Sequence, residues 1–242
     1  MEEFKRAAAE RAVAEYVESG MVVGLGTGST AAWVVRSIGR LLFRGKLRCI
    51  KGVPTSERTA AFAREVGLPL TSLSAHTPDV VLDGADEIGP GLVLIKGRGG
   101  TLLREKIVAS AAEGLVVVAD SSKVVEELGR GPLPVEVEPF GWEATLKALL
   151  SLGCEARLRT AKGRLCITDG GHYVIDCLFG SIPAPDLLEI EIKRIPGAIE
   201  TGLFVGLAQT AVIGRGTGVE VRDPHTSQRA APKRPLTTTP AR

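Results

Sequence analysis

Runs of Val and Leu without polar alternation constrain this chain most. They occur in MVVGLG, DVVLDG, LVLIKG and LVVVAD. Such runs mark strands covered on both faces, the habit of parallel sheets. Helical patterns separate them. Ala9, Ala12, Val13, Tyr16 and Val17 share one face of an opening helix that stops at Ser19-Gly20. AAWVVRSIGRLL follows the first run. LRCIKGV adds a strand candidate, and PTSERTAAFAREVG a helix with Ser56 as N-cap and Gly67 as stop. TLLREKIVASAAEG separates the last two runs. Strands alternating with helices predict an α/β fold with a doubly wound parallel sheet.

The pattern changes near residue 130. GPLPVEVEPFG is proline-rich and strand-like, WEATLKALLSLG is helical, and EARLRT and RLCITDGGHYVIDC suggest short strands around an Asp169-Gly170 hairpin turn. LLEIEIKRIPG reads as a helix closing at Pro196-Gly197, and ETGLFVGLAQTAVIG as a return to the first domain. The expected organisation is a first domain over 1–130 and 201–221 with a small α+β domain over 131–200. From Arg222 onward the chain has one Leu, four prolines and no aromatic residue. That composition buries too little surface to fold and predicts a disordered tail over 222–242.

Thirty Lys and Arg against 28 Asp and Glu leave a net charge of +2. That is no footprint for nucleic acid, although a few local cations suffice for a small anion. The opening MEEFKRAAAERAVAEYV lacks the apolar core of a signal peptide, and no stretch approaches a membrane span. No two of Cys49, Cys154, Cys166 and Cys177 are spaced as C-x-x-C, which speaks against zinc. Cys49, Cys166 and Cys177 sit in strand-like runs, where Cys is usually a small buried hydrophobe, and the expected compartment is the reducing cytosol. His76, His172 and His225 pair with no acid or nucleophile in a recognisable motif, and Asp176 and Trp142 read as structural or surface residues.

In an open α/β sheet, ligands bind beyond the carboxyl ends of the strands. There this sequence collects Gly26-Thr27-Gly28-Ser29-Thr30, then Asp83 and Asp86, then Lys96-Gly97-Arg98-Gly99-Gly100, then Asp120 to Lys123. GLGTGST departs from the dinucleotide fingerprint, because Ser29 stands at the third glycine and Lys51 where a ribose-binding acid belongs. It is no P-loop either. Two readings remain: a single-phosphate site at a helix N-terminus, or a tight turn capped by Ser29 or Thr30. KGRGG offers a nest of N–H donors beside a lysine, suited to an oxyanion, or else a flexible loop. Glu105 lies in a first helical turn, where the macrodipole alone would favour an acid. On that reading Arg104 and Lys106 are its surface company; its alternative use is as a base towards a carbon acid.

In order along the chain, GLGTGST, GVPTS, DGADEI, KGRGG with LLREKI, ADSSK, PVEVEPFGW, TDGGHYVIDC and IPGAIETGLF resemble ribose-5-phosphate isomerases of type A, from the first helix to about residue 221. The resemblance implies a Rossmann-like sheet with a smaller α+β, ferredoxin-like domain, and a cytoplasmic aldose–ketose isomerase of the pentose phosphate pathway. It further implies no cofactor or metal and a homodimer or homotetramer. Glu105 corresponds to the base that moves a proton through a cis-enediolate. Asp83 and Asp86 match the acids that assist ring opening, and Lys96 the cation that holds enediolate charge. Substrate contacts fall on Thr27, Gly28, Ser29, Thr30, Gly84, Ala85, Gly97, Arg98, Gly99 and Lys123, with Lys5 or Arg6 as further phosphate contacts. Arg98 departs from the family pattern, which has a small or apolar residue there. A non-catalytic sugar-phosphate sensor on the same fold is the alternative. It would keep the phosphate turn but could lose the base.

Overall fold

A computed structural model describes residues 1–224. Its main sheet begins with β1 (Val22–Leu25), β2 (Lys51–Pro54) and β3 (Val80–Asp83). Further along come β6 (Leu115–Asp120), β14 (Ala208–Arg215) and β15 (Gly218–Arg222). The order is β15-β14-β6-β3-β1-β2, all parallel except the β14–β15 hairpin. The parallel strands therefore change direction of winding between β1 and β3, and such a switch opens a crevice at the strands' carboxyl ends.

Successive residues of each central strand enter opposite cores, which is why the runs lack alternation. Val23, Leu25, Val116 and Val118 pack with α1 (Glu2–Tyr16), α2 (Ser29–Phe43) and α3 (Glu57–Glu65). Val22, Val117 and Ala119 pack on the other face with Val108 and Ala109 of α4 (Leu102–Ala111). The first helix crosses β14 at Gly214, where an added Cβ would lie 2.0 Å from the Phe4 carbonyl oxygen.

One expected member of the parallel sheet lies elsewhere. β4 (Glu87–Ile88) and β5 (Leu94–Ile95) form an antiparallel ribbon with β13 (Leu203–Phe204). The connection between β4 and β5 is one short 3-10 turn, Pro90–Leu92, far too short for a parallel crossover. LVLI is apolar because this ribbon is sandwiched between two cores, with Leu94 facing one and Ile95 and Leu203 the other.

The smaller unit comprises β7 (Leu133–Val137), α5 (Trp142–Leu150), β8 (Glu155–Leu158), β11 (Tyr173–Leu178), α6 (Pro185–Lys193) and β12 (Ala198–Thr201). Its sheet has the order β12-β7-β11-β8 with every pair antiparallel. This βαββαβ arrangement is ferredoxin-like. A two-stranded hairpin of β9 (Thr160–Ala161) and β10 (Arg164–Leu165) projects between β8 and β11.

The cysteine expectation needs correction. Cys177 is buried, but Cys49 is exposed with φ 58 in the turn before β2, and Cys166 is partly exposed beyond β10. The apolar run around Cys49 is longer than the strand it contains. Residues 225–242, which hold His225 and most of the expected tail, lie outside the described residues. Among the described residues no helix is long and apolar enough to cross a membrane.

Candidate active site

A cavity of about 370 Å³ opens at the switch between β1 and β3, within the usual range for small-ligand sites. Four segments build most of it, with Lys5 and Lys123 added from α1 and from beyond β6. The first is the turn from β1 into α2. Gly28 is the N-cap of α2 at φ 119, with no side-chain cap, so neither Ser29 nor Thr30 plays the capping role. Gly28, Ser29 and Thr30 line the cavity, and the Lys5 ammonium donates to Ser29 Oγ at 3.1 Å. An uncapped helix N-terminus beside a lysine and hydroxyls is a chemically complete anion site.

Thr27 also borders the cavity, but its polar groups are committed. Its N–H donates to Asp83 Oδ1 at 3.2 Å. Its hydroxyl lies 2.8–2.9 Å from those of Thr55, Ser56 and Thr59, all buried. Ser56 also caps α3, as expected, by accepting from Thr59 N–H.

The second segment is DGADEI. Asp83 ends β3 fully enclosed, while Gly84, Ala85 and Asp86 reach the cavity. Asp83 Oδ1 also accepts from Gly84 N–H at 2.7 Å. Glu87 is buried and accepts from Gly129 and Gly131 N–H at 2.8 and 2.6 Å, so it fastens a distant loop rather than sitting in solvent.

Lys96 opens the third segment, immediately after β5. Its ammonium lies 2.9 Å from Asp83 Oδ2 and 3.2 Å from Glu105 Oε2, and donates to the Gly84 carbonyl. Below it lies the Phe204 ring, 5.4 Å from Nζ to centroid. Gly97, Arg98 and Gly99 continue the cavity wall. The Arg98 N–H donates to Asp86 Oδ2 at 2.9 Å, and its mostly exposed guanidinium stands 3.8 Å from Asp86 Oδ1.

The fourth segment is α4. Glu105 is only 4% exposed, and Thr101 donates its hydroxyl to Oε1 at 2.6 Å. The flanking residues are not idle surface company. Arg104 pairs with Glu57 at 2.9 Å and donates to the Asp169 carbonyl, while Lys106 holds Glu189 and Glu200, each at 2.8 Å. These contacts clamp α4 to α3 and the ferredoxin-like unit on either side of Glu105.

Lys96, Asp83 and Glu105 form a buried triad of one cation and two acids. Burial pushes the Asp83 carboxyl up to about 7, the Glu105 charge pushes the same way, and Lys96 opposes both. Burial alone would lower the Lys96 pKa, but the two carboxylates outweigh it and hold the ammonium above its usual range. Near neutral pH the triad thus keeps one fixed positive charge beside an Asp83 carboxyl able to exchange a proton.

A sequence model of the family described as "Ribose 5-phosphate isomerase A (phosphoriboisomerase A)" matches residues 51–218. The chain belongs to this family. It is 54% identical to a ribose-5-phosphate isomerase A from Gloeobacter violaceus, over 91% of this chain and 96% of the relative. It is 47% identical to a probable ribose-5-phosphate isomerase 2 of Arabidopsis thaliana, over 93% and 88%. The solved ribose 5-phosphate isomerase from Plasmodium falciparum superposes with a TM-score of 0.90 at 39% identity, over 92% of this chain and 99% of that one. A D-ribose-5-phosphate isomerase in complex with phospho-erythronic acid gives 0.89 at 40%, over 92% and 98%.

Against the ribose 5-phosphate isomerase A pattern, every expected site residue borders the cavity except Asp83, which lies behind Lys96. Lys123, in a short 3-10 turn capped by Asp120, faces in from β6. Of the two expected helix cations, Lys5 lines the cavity, whereas Arg6 pairs along the helix with Glu10. Sequence reasoning missed the hydroxyls of Thr55, Ser56 and Thr59 as a support and Phe204 as a floor. The first had a signal: Thr55 and Ser56 directly follow β2, on the rim that gathers the other site residues. Phe204 gave none, since any apolar residue reads as core.

Proposed function

We propose that this chain interconverts D-ribose 5-phosphate and D-ribulose 5-phosphate, the aldose–ketose isomerisation of the non-oxidative pentose phosphate pathway, with Glu105 as base. Glu105 removes the C2 proton of the open-chain aldose as electron density moves to the C1 oxygen, giving a cis-enediolate. The same carboxyl returns the proton to C1, and a hydroxyl proton moves from O2 to O1, so no atom is gained or lost. The carbon acid is weak, and the developing oxyanion needs fixed positive partners. Lys96 and the Gly99 N–H supply them. Asp86, on the cavity wall, exchanges the hydroxyl protons of ring opening, and Asp83 behind it holds the Lys96 ammonium in place. The phosphate sits at the far end, on the α2 N-terminus with Ser29, Thr30, Lys5 and Lys123.

The observation that carries this reading is the placement of the Lys96 ammonium 2.9 Å from Asp83 and 3.2 Å from Glu105 in the enclosed floor of a cavity that ends on a helix N-terminus. The relative solved with phospho-erythronic acid supports it chemically. That acid carries a planar anionic carboxylate where the sugar would carry its enediolate. A sensor without catalysis would have no use for a buried Glu–Lys–Asp triad. Assembly as a homodimer or homotetramer in the cytoplasm belongs to the same proposal, supported by the exposed apolar side chains of Phe140, Leu187 and Ile190. Purified protein given ribose 5-phosphate should form ribulose 5-phosphate. Binding without turnover would favour the sensor.

A further inference from the structure

Arg159 lies between β8 and β9, outside the cavity, and belongs to the ferredoxin-like unit. Its own N–H is tied to the Val174 carbonyl at 2.8 Å. Its side chain, 13% exposed, makes a two-pronged contact with Asp176 of β11 through Nε (2.9 Å to Oδ2) and Nη2. The remaining nitrogen, Nη1, crosses to the glycine loop and donates to the carbonyls of Gly97 at 2.7 Å and Arg98 at 3.2 Å.

The consequence follows from peptide planarity. All peptides here are trans, so a carbonyl and the next residue's N–H point in opposite directions. The Gly97 carbonyl accepts from Arg159 and from the Gly100 N–H at 3.0 Å, which turns the Arg98 N–H the other way, where it meets Asp86 Oδ2 at 2.9 Å. Holding the Arg98 carbonyl likewise turns the Gly99 N–H away from Arg159, towards the cavity that Gly99 lines. A cation on these carbonyls also polarises their peptides, which strengthens the N–H groups as donors.

We propose that Arg159, held by Asp176, is a positioning residue for the isomerase reaction: its clamp on the Gly97 and Arg98 carbonyls fixes the glycine loop so that the Gly99 N–H receives the enediolate oxygen. This rests on the isomerase reading above. Neither residue touches the substrate, and Gly97 and Gly99 have no side chain with which to hold themselves. The fork geometry needs arginine, because an ammonium cannot serve a carboxylate and two carbonyls in one plane.

The test uses the full chain with Arg159→Ala, Arg159→Lys and Asp176→Asn. Turnover of ribose 5-phosphate, binding of phospho-erythronic acid and thermal stability are read together. Arg159→Ala should lower kcat by about 10- to 100-fold, the scale of a misplaced catalytic group, with KM within about threefold. Phospho-erythronic acid binding should weaken in proportion to kcat, as for a mimic of the reacting state. Lysine should fail to rescue, and added methylguanidinium should restore turnover to the alanine variant but not to wild type. If Arg159→Ala does not fold, the same split is read from Asp176→Asn. Folded variants with wild-type kcat and analogue affinity, reduced only in thermal stability, would show that Arg159 merely joins the two units. Should wild-type protein bind the analogue without turning over sugar, the isomerase reading fails, and loss of analogue affinity in the variants still reports on the clamp.

Discussion

Two glycine-rich turns face each other across the cavity, and they are supported in different ways. The Gly26–Thr30 turn joins a parallel strand to its helix and is held from within. Thr27 is bound to three buried hydroxyls of the next strand–helix turn and to Asp83. The Lys96–Gly100 loop ends an antiparallel ribbon and, beyond its own Gly100 N–H to Gly97 carbonyl bond at 3.0 Å, is held from outside. Gly202 accepts the Lys96 N–H at 2.9 Å, Asp86 accepts from Arg98, and Arg159 grips two carbonyls. Like composition therefore conceals unlike mechanics. The first turn is a cradle inherited from the sheet, whereas the second depends in part on an arginine of the smaller unit.

Asp83 joins the two, with Oδ1 on the first turn and Oδ2 on Lys96. The most damaging way to break the pairing is therefore Lys96→Met. It leaves two buried carboxylates facing each other without a cation, at a cost of about 3–5 kcal/mol for a broken buried pair. Urea unfolding should show that loss. Removing the charge should also lower kcat by about 10²- to 10³-fold, the scale of one lost oxyanion partner.

Thr27→Val attacks the first turn alone. It keeps the shape but removes the hydroxyl shared by Thr55, Ser56 and Thr59, at about 1–3 kcal/mol for buried groups left short of a partner. Thermal unfolding should register this, with KM for the phosphorylated sugar rising because the phosphate turn loosens. An unchanged melting temperature would mean that the other three hydroxyls suffice.

A further effect concerns protons. Asp83 titrates at about 7 in the folded chain against an ordinary value of 3.8. Between those values the folded state keeps a proton that the unfolded state has released, so Asp83 makes stability fall as pH rises from about 4 to 7. Asp83→Asn should lack that slope, as unfolding midpoints across the window would show. A wild type that instead gains on the variant with rising pH would place the Asp83 carboxyl below its ordinary value. The cradle would then be held by charge rather than by a shared proton.

What could be read from the chain tracks the same division. β1, its turn and α2 form a contiguous unit, and the wholly apolar β3 ending in Asp83 announces a covered strand that delivers an acid to a rim. The βαββαβ unit was legible as alternating short elements up to α6, but β12 straddles the point where the chain reads as returning to the first domain. LVLI was misplaced because an apolar run looks the same in a parallel sheet and in a ribbon buried between two cores; only the short Pro90–Leu92 link distinguishes them. Glu87 gave no sign of its partners, because Gly129 and Gly131 lie over forty residues away and offer backbone N–H groups rather than side chains. Asp176 looked structural, and its hold on the cavity depends on Arg159, 17 residues earlier, reaching a loop 62 residues earlier still.

The central claim is that Glu105 carries the proton between C2 and C1 while Lys96 holds the negative oxygen. The most direct measurement pairs turnover and phospho-erythronic acid binding in Glu105→Gln. Turnover should fall by about 10²- to 10⁴-fold, the contribution of a positioned general base, while the analogue still binds because Lys96, the glycine loop and the phosphate turn are intact. Turnover close to wild type in that variant would contradict the account and move the base elsewhere in the cavity.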